Sequence, residues 1–448
     1  MIGGGGVDTF DQFLSEIWPM LRSSFIYSFS TLINALVRFT TLSIGARVLI
    51  LGDYGALDTI FFAYLVFSGL IIMGLDSAIL RFAFDDKENC SKAGKTLTTA
   101  LVIGSANTII FAIILICLLR IFGHHFFRLE TNVLLISLII FCVGYTISAF
   151  VSTNMRAHFE SLHFFISNLI SASIRIAFII PFLWIENINL STFILTISWA
   201  SLISSFIYIY LGRKYISWKE FDKNLMVKML SYGIPLGIVF VMSSLYPLLE
   251  RFIVLEIGNY EWLSVYAASA FPALLLGITI QIVNMAWVPL AIKSTLNGSV
   301  SFIKYSSVWL HGLFIVLYLT TLAFAESIVR VFVPIKVNEP AVLFPFIGMI
   351  MLVRFSSSFT SFGLIMEKRT DLKLLISVVA FLAMGLSSWI FGRQFGVKAV
   401  PVIVFIVSYL FWIIEALVAR SIAPNILIPF KLMIISIGLT GCIAWVCS

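Results

Sequence analysis

Long apolar runs broken by short polar clusters make up nearly the whole chain. Runs of about 20 apolar residues recur from end to end, each long enough to cross a bilayer core of about 30 Å as a helix. They predict spans at roughly 24–50, 59–83, 97–121, 132–154, 164–185, 191–212, 230–256, 262–290, 303–325, 341–365, 372–392, 397–419 and 426–447. A transmembrane barrel is excluded, because its strands would alternate polar and apolar positions in segments of about ten. The expected fold is an all-α integral membrane protein with 12–14 transmembrane helices, 13 being the best count. Its last span is marked by Pro429 and Lys431 near the start.

Ahead of the first run, Phe10, Phe13, Leu14, Ile17, Trp18 and Leu21 follow helical i, i+3, i+4, i+7 spacing, while Asp11, Gln12, Ser15 and Glu16 take the other side. Segment 1–22 therefore reads as a tail, Gly3–Gly6, followed by a short interfacial helix that Pro19 interrupts. The N-terminus has acids and no basic n-region, so no cleavable signal is expected. The longest hydrophilic stretch, Gly212 to Lys228, falls between the sixth and seventh spans. It divides the chain into a first lobe (23–212), a cytoplasmic linker (213–229), a second lobe (230–420) and an extra C-terminal helix (421–448). A short repeat points to the same division. "ARVLILGDYG" (Ala46–Gly55) and "ERFIVLEIGNY" (Glu250–Tyr260) each set an arginine before a Gly-(Asp/Asn)-Tyr turn. Their offset of about six spans keeps both copies pointing the same way, which implies two pseudo-symmetric six-helix lobes about an axis along the membrane normal. Chance similarity of two span ends is the alternative.

Composition agrees with this reading. Of 448 residues 60% are hydrophobic and 11% charged, against about 25% charged in an ordinary soluble domain. The net charge of +7 is informative by position. With the N-terminus in the cytoplasm, 17 basic residues fall on the cytoplasmic side, Arg156 among them, and 7 outside, Arg47 among them. The positive-inside rule favours that orientation. No basic run sits in a sizeable soluble segment, so nucleic acid is not an expected partner. The five cysteines contain no CxxC pair and read as small hydrophobes; the five histidines form no ligand set. P-loop, HExxH and nucleophile motifs are absent and the loops are short, so neither an enzyme, a metal site nor a cofactor is expected.

The remaining five basic residues, Arg38, Arg81, Arg175, Arg251 and Arg354, lie within the spans. Arg38, Arg175 and Arg354 sit near mid-depth, where an arginine costs at least about 3 kcal/mol on insertion scales and demands a wet or paired setting. Arg47, Arg81 and Arg251 lie nearer the ends, where either snorkelling to head groups or a functional role is open. The acids inside the spans are Asp76, Glu250 and Glu415. Glu250 and Arg251 are adjacent and point about 100° apart, so each needs another partner; Arg38 and Arg47 lie on opposite faces of one helix. Five arginines against three acids leaves an excess of positive charge, which suits an anionic substrate, phosphate above all.

At these residues the sequence resembles polysaccharide-biosynthesis flippases of the O-antigen (Wzx) type, within the multidrug/oligosaccharidyl-lipid/polysaccharide (MOP) exporter superfamily. The resemblance is carried by "ARVLILGDYGALD" (Ala46–Asp58), "GLDSAILRF" (Gly74–Phe82), "YGIPLG" (Tyr232–Gly237), "ERFIVLEIG" (Glu250–Gly258) and "MAWVPL" (Met285–Leu290). Arg47, Arg81 and Arg251 match basic positions of the family pattern, and Trp287 with Pro289 matches its W-x-P. Two departures are visible. Glu250-Arg251 stands where Asp-Arg is common, and a thirteenth span would leave the C-terminus outside.

The resemblance implies a two-lobed bundle that moves an undecaprenyl-diphosphate-linked oligosaccharide from the cytoplasmic to the outer leaflet of a bacterial inner membrane by alternating access. The expected substrate-binding set is Arg38, Arg47, Arg81, Arg175, Arg251 and Arg354, with Asp76 or Glu250 as sites for a coupling H⁺ or Na⁺, and membrane lipids around the bundle. A drug or cation antiporter of the same superfamily would need excess acid in its cavity. A polysaccharide-pathway membrane enzyme would need a large outer loop.

Overall fold

The computed structural model describes residues 7–85, 93–126, 129–158, 160–185, 188–216, 220–296, 300–334, 340–367, 369–424 and 429–447. Its α-helices are α1 (Val7–Val48), α2 (Leu51–Ile72), α3 (Leu75–Asp85), α4 (Ala93–Phe126), α5 (Thr131–Ala157), α6 (Ser161–Ile179), α7 (Leu190–Gly212) and α8 (Lys223–Ile257). They continue with α9 (Tyr260–Leu296), α10 (Val300–Phe332), α11 (Phe344–Thr360), α12 (Phe362–Met366), α13 (Thr370–Phe395), α14 (Ala399–Ile422) and α15 (Phe430–Cys447). Side-chain caps fix several starts. Asn189 accepts from the Thr192 amide before α7, Asp222 from Asn224 and Leu225 before α8, and Asn259 from Trp262 before α9.

Among the described residues twelve helices are long and apolar enough to cross a membrane, so the chain is a multi-pass membrane protein. This corrects the count of thirteen. The apolar part of α15, Phe430–Trp445, is about 24 Å long at 1.5 Å per residue, short of the hydrocarbon core. It is held against the bundle instead. The buried His311 of α10 meets Ser436 at 2.8 Å and Ser356 of α11 at 3.1 Å, and the Tyr409 hydroxyl donates to the Ile434 carbonyl at 2.8 Å. Helix α1 is assigned from Val7 to Val48, and its membrane-length apolar part is Ile26–Val48. The Gly3–Gly6 tail lies outside the described residues.

The packing repeats between halves. α1 lies on α6 as α8 lies on α13; α5 on α7 as α11 on α14; α6 on α7 as α13 on α14; α2 on α5 as α9 on α11. Between halves, α2 packs on both α8 and α9, and α1 on α9. One hydrophobic core fills the second half, and another fills the first half toward the end opposite Arg47. A third joins the halves near Arg47, where Leu57, Ile60 and Phe193 meet Leu248, Ala268 and Phe271.

The second span is broken where the sequence predicts one helix over 59–83. Met73 (φ 45°) and Gly74 (φ 72°) are both left-handed, and Met73 is the one non-glycine residue with positive φ among those described. A right-handed helix cannot pass through two such residues, so α2 ends and α3 begins. The break seats directly on α8. A Cβ at Gly74 would lie 2.1 Å from the Gly233 carbonyl oxygen, and one at Gly237 would lie 2.4 Å from the Met73 carbonyl carbon. "GLDSAILRF" and "YGIPLG" are thus two sides of one backbone-on-backbone contact, with Pro235 inside α8 between its two glycines.

Candidate substrate cavity

A cavity of about 620 Å³ lies between the two halves. Its shape follows from how α1 and α9 diverge. Near Arg47 the halves are joined: the Phe39 ring packs at a tilt against Phe271 with centroids 4.3 Å apart, the Ser43 hydroxyl donates to the Phe332 carbonyl at 2.6 Å, and the Gly55 amide donates to Ser264 Oγ at 3.1 Å. Toward the other end α1 turns to its own half, with Tyr27 on Phe164 and Asn34 hydrogen-bonded to Asn168. α9 turns to its own half too, with Trp287 donating to Ser306 and packing edge-on against Phe359. The cavity occupies the angle between them.

Five arginines and three carboxylates line it: Arg38, Arg156, Arg175, Arg251 and Arg354 with Asp58, Asp76 and Glu250. Their settings differ sharply. Arg251, 3% exposed, aims Nε and Nη2 at Asp58 Oδ2 across the halves, at 2.7 and 2.6 Å, and its Nη1 donates to the Pro247 carbonyl at 2.8 Å. Its guanidinium also lies over the Phe62 ring at 4.0 Å. Arg38 shares the same carboxylate loosely, Nη2 to Oδ1 at 3.9 Å, while its Nε and Nη2 have no hydrogen-bond partner. Glu250 accepts from the Tyr266 hydroxyl through Oε2, and its Oε1 has no partner. Arg156 has Asp76 as a charged neighbour.

Arg175 and Arg354 stand apart from these pairs. Arg175 donates Nε to Ser204 Oγ at 3.1 Å. Among the described residues neither arginine has an ion pair. They reach the cavity from opposite halves, one on α6 and one on α11. Arg354 is ten residues into α11 and Arg38 ten residues from the end of α1, each about 15 Å from the Arg47 end at 1.5 Å per residue. Charges at that depth need water, a partner or a ligand.

The cavity therefore brings together Arg38, Arg175, Arg251, Arg354, Asp76 and Glu250. It does not include Arg47 or Arg81, both exposed. Arg47, nine residues on from Arg38, faces the opposite side of α1 and donates Nη2 to the Val331 carbonyl at 3.2 Å. Two lining residues escape a reading of apolar runs. Starting the second span at 59 leaves Asp58 in a loop, and ending the fourth at 154 does the same to Arg156. The helices reach further, α2 from Leu51 and α5 to Ala157. The need of Arg251 for a partner other than its neighbour Glu250 is the signal that a further acid is near.

Outside the spans, Glu160 is held below the usual carboxylate range. Burial pushes it up, but hydrogen bonds from the Lys214 ammonium and the Tyr215 hydroxyl outweigh that. No group of three or more His, Cys, Asp or Glu suited to a metal occurs among the described residues.

Several solved structures share this fold. The inward-facing conformation of a multidrug resistance MATE family transporter of the MOP superfamily matches with a TM-score of 0.68 at 14% identity, over 89% of this chain and 95% of that one. An outward-facing conformation of a multidrug resistance MATE family transporter matches at 0.67 and 12% identity, over 91% and 96%. A MOP superfamily transporter from Pyrococcus furiosus, whose binding pocket is described as having reverse polarity, matches at 0.68 and 14% identity, over 91% and 96%. No curated protein sequence matches the chain. The fold, with a cavity between its two halves, places the chain in the structural class of MOP superfamily transporters. Within that class the chain belongs to the polysaccharide biosynthesis protein family, whose sequence pattern matches residues 20–295.

Proposed function

We propose that the protein is a flippase for a polyprenyl-diphosphate-linked oligosaccharide, working by alternating access in a bacterial inner membrane. The observation that carries this reading is the excess of two arginines over carboxylates in a cavity between the halves, with Arg175 and Arg354 free of carboxylates on opposite walls. A diphosphate bridging those two guanidiniums would relieve their isolation and draw the halves together, since arginine forks suit phosphate oxygens. With the N-terminus in the cytoplasm, the joined end near Arg47 faces outward and the divergence of α1 and α9 opens inward. Asp76 and Glu250 are the candidate sites for a coupling H⁺ or Na⁺, Glu250 with one oxygen unpartnered. The surplus of positive charge argues against the drug or cation antiporter.

The test is flipping of a labelled polyprenyl-diphosphate oligosaccharide in proteoliposomes. Arg175→Ala and Arg354→Ala should each lower the rate at least about tenfold, as for loss of a charge-assisted contact. Full flipping by both variants would sink the reading.

A further inference from the structure

The two walls of the cavity differ in chemistry. The first half contributes nine uncharged polar side chains to the lining, while the second contributes Tyr266 and Gln281 beside mainly alanine, isoleucine, leucine and methionine. On α5 the residues Phe141, Tyr145, Ser148 and Ser152 form one helical stripe into the cavity. The Phe141 and Tyr145 rings stack along it with centroids 6.0 Å apart at 13°. Beside the stripe Asn168 and Tyr208 are joined at 3.0 Å. Ser201 is 1% exposed and its hydroxyl has no partner. Hydroxyls and amides beside flat ring faces are what a sugar requires, because its rim carries hydroxyls and its faces carry C–H groups. An unpaired buried hydroxyl is costly to keep unless something pairs with it.

Charge narrows the sugar further. A diphosphate esterified at both ends carries one negative charge per phosphorus, and the cavity's surplus is two arginines. A sugar acid would bring a third negative charge that no surplus cation meets, at a depth where unpaired charge is expensive.

Resting on the flippase reading above, we infer that the transported glycan is electroneutral and binds the first-half wall along the α5 stripe and Ser201. The diphosphate takes up the whole cationic surplus, and the glycan is read through hydroxyls and amides alone.

The test is binding by the full chain in detergent with three probes. These are a short polyprenyl diphosphate bearing a neutral N-acetylhexosamine disaccharide, the same lipid bearing a disaccharide with one hexuronic acid, and the lipid diphosphate with no sugar. The neutral probe should bind about tenfold more tightly than the acidic one. Ser201→Ala and Tyr145→Phe should each weaken the neutral probe about threefold or more and leave the sugar-free probe unchanged. Ser201→Ala should leave the melting temperature unchanged or raise it, because its hydroxyl has no protein partner to lose. Equal or tighter binding of the acidic probe, or variants that change no ratio, overturns this inference and spares the flippase. Failure of all three probes to bind overturns the flippase reading and this inference with it.

Discussion

Arg47 and Arg251 occupy matching places in a repeated motif, yet the structure treats them differently. α1 ends one residue after Arg47, whereas α8 runs on for six residues past Arg251. That places Arg251 about 9 Å below the helix end, inside the bundle, where α2 supplies Asp58. Arg47 is left at the rim, bonded to one carbonyl of α10. The turn that follows differs as well: Asn259 caps α9 from outside, whereas Asp53 already lies in the first turn of α2. A repeat conserves backbone direction and packing partners. Helix length then decides whether the same side chain becomes a rim contact or a buried ion pair.

The widest gap between the two regions should come from Asp58→Ala. It leaves two guanidiniums buried without their carboxylate, and breaking a buried pair costs about 3–5 kcal/mol. The variant should melt far below the parent in detergent or fail to accumulate. Arg251→Ala should do less damage, because Arg38 already stands 3.9 Å from the same carboxylate and can take it over. Equal losses in the two variants would mean that Arg38 lends Asp58 nothing.

Next in size is Gly237→Ala, which drives a methyl group into the Met73 backbone. Overpacking of this kind costs roughly 1–3 kcal/mol, and a melting curve indistinguishable from the parent would show that α2 and α8 part there easily. Arg47→Ala should change stability by no more than about 0.5 kcal/mol, as surface substitutions do, and should leave flipping intact. A transport loss as large as that of Arg354→Ala would return Arg47 to the substrate path.

The smallest effect is pH-dependent. The folded-state pKa of Glu160 is depressed, so its contribution is fully present above the unfolded value, about 4.3, and is lost as pH falls through the lower folded value. The Glu160→Gln variant should lack that part of the acid-side decline in thermal stability. Its salt partner Lys214 is half exposed, which keeps the term small.

Much of the architecture is legible in residue patterns, because apolar run length translates directly into helix length. The run of membrane-length helices from α4 to α11 is of this kind. The break at Met73–Gly74 is not. Its cause is a neighbour some 160 residues away, Gly233 and Gly237, and no local pattern encodes that approach. The arginines split the same way. Burial energetics single out Arg38, Arg175 and Arg354 from depth alone, and all three line the cavity. Which of them has a carboxylate depends on where α2 begins, and hydrophobicity does not mark that boundary because Leu51, Ala56 and Leu57 read equally well as helix or loop. α15 fails for a third reason. Its composition is that of a span, but its apolar part runs only from Phe430 to Trp445.

The crossing of Met73–Gly74 over Gly233 and Gly237 has a mechanical consequence. Main chain touches main chain there, so no rotamer needs to change when one helix turns over the other, while drawing them apart loses every contact together. The joint is compliant in rotation and stiff in separation. On the alternating-access reading it would serve the two halves as a fulcrum, one that depends on the missing Cβ of three glycines and on a methionine held in the left-handed region.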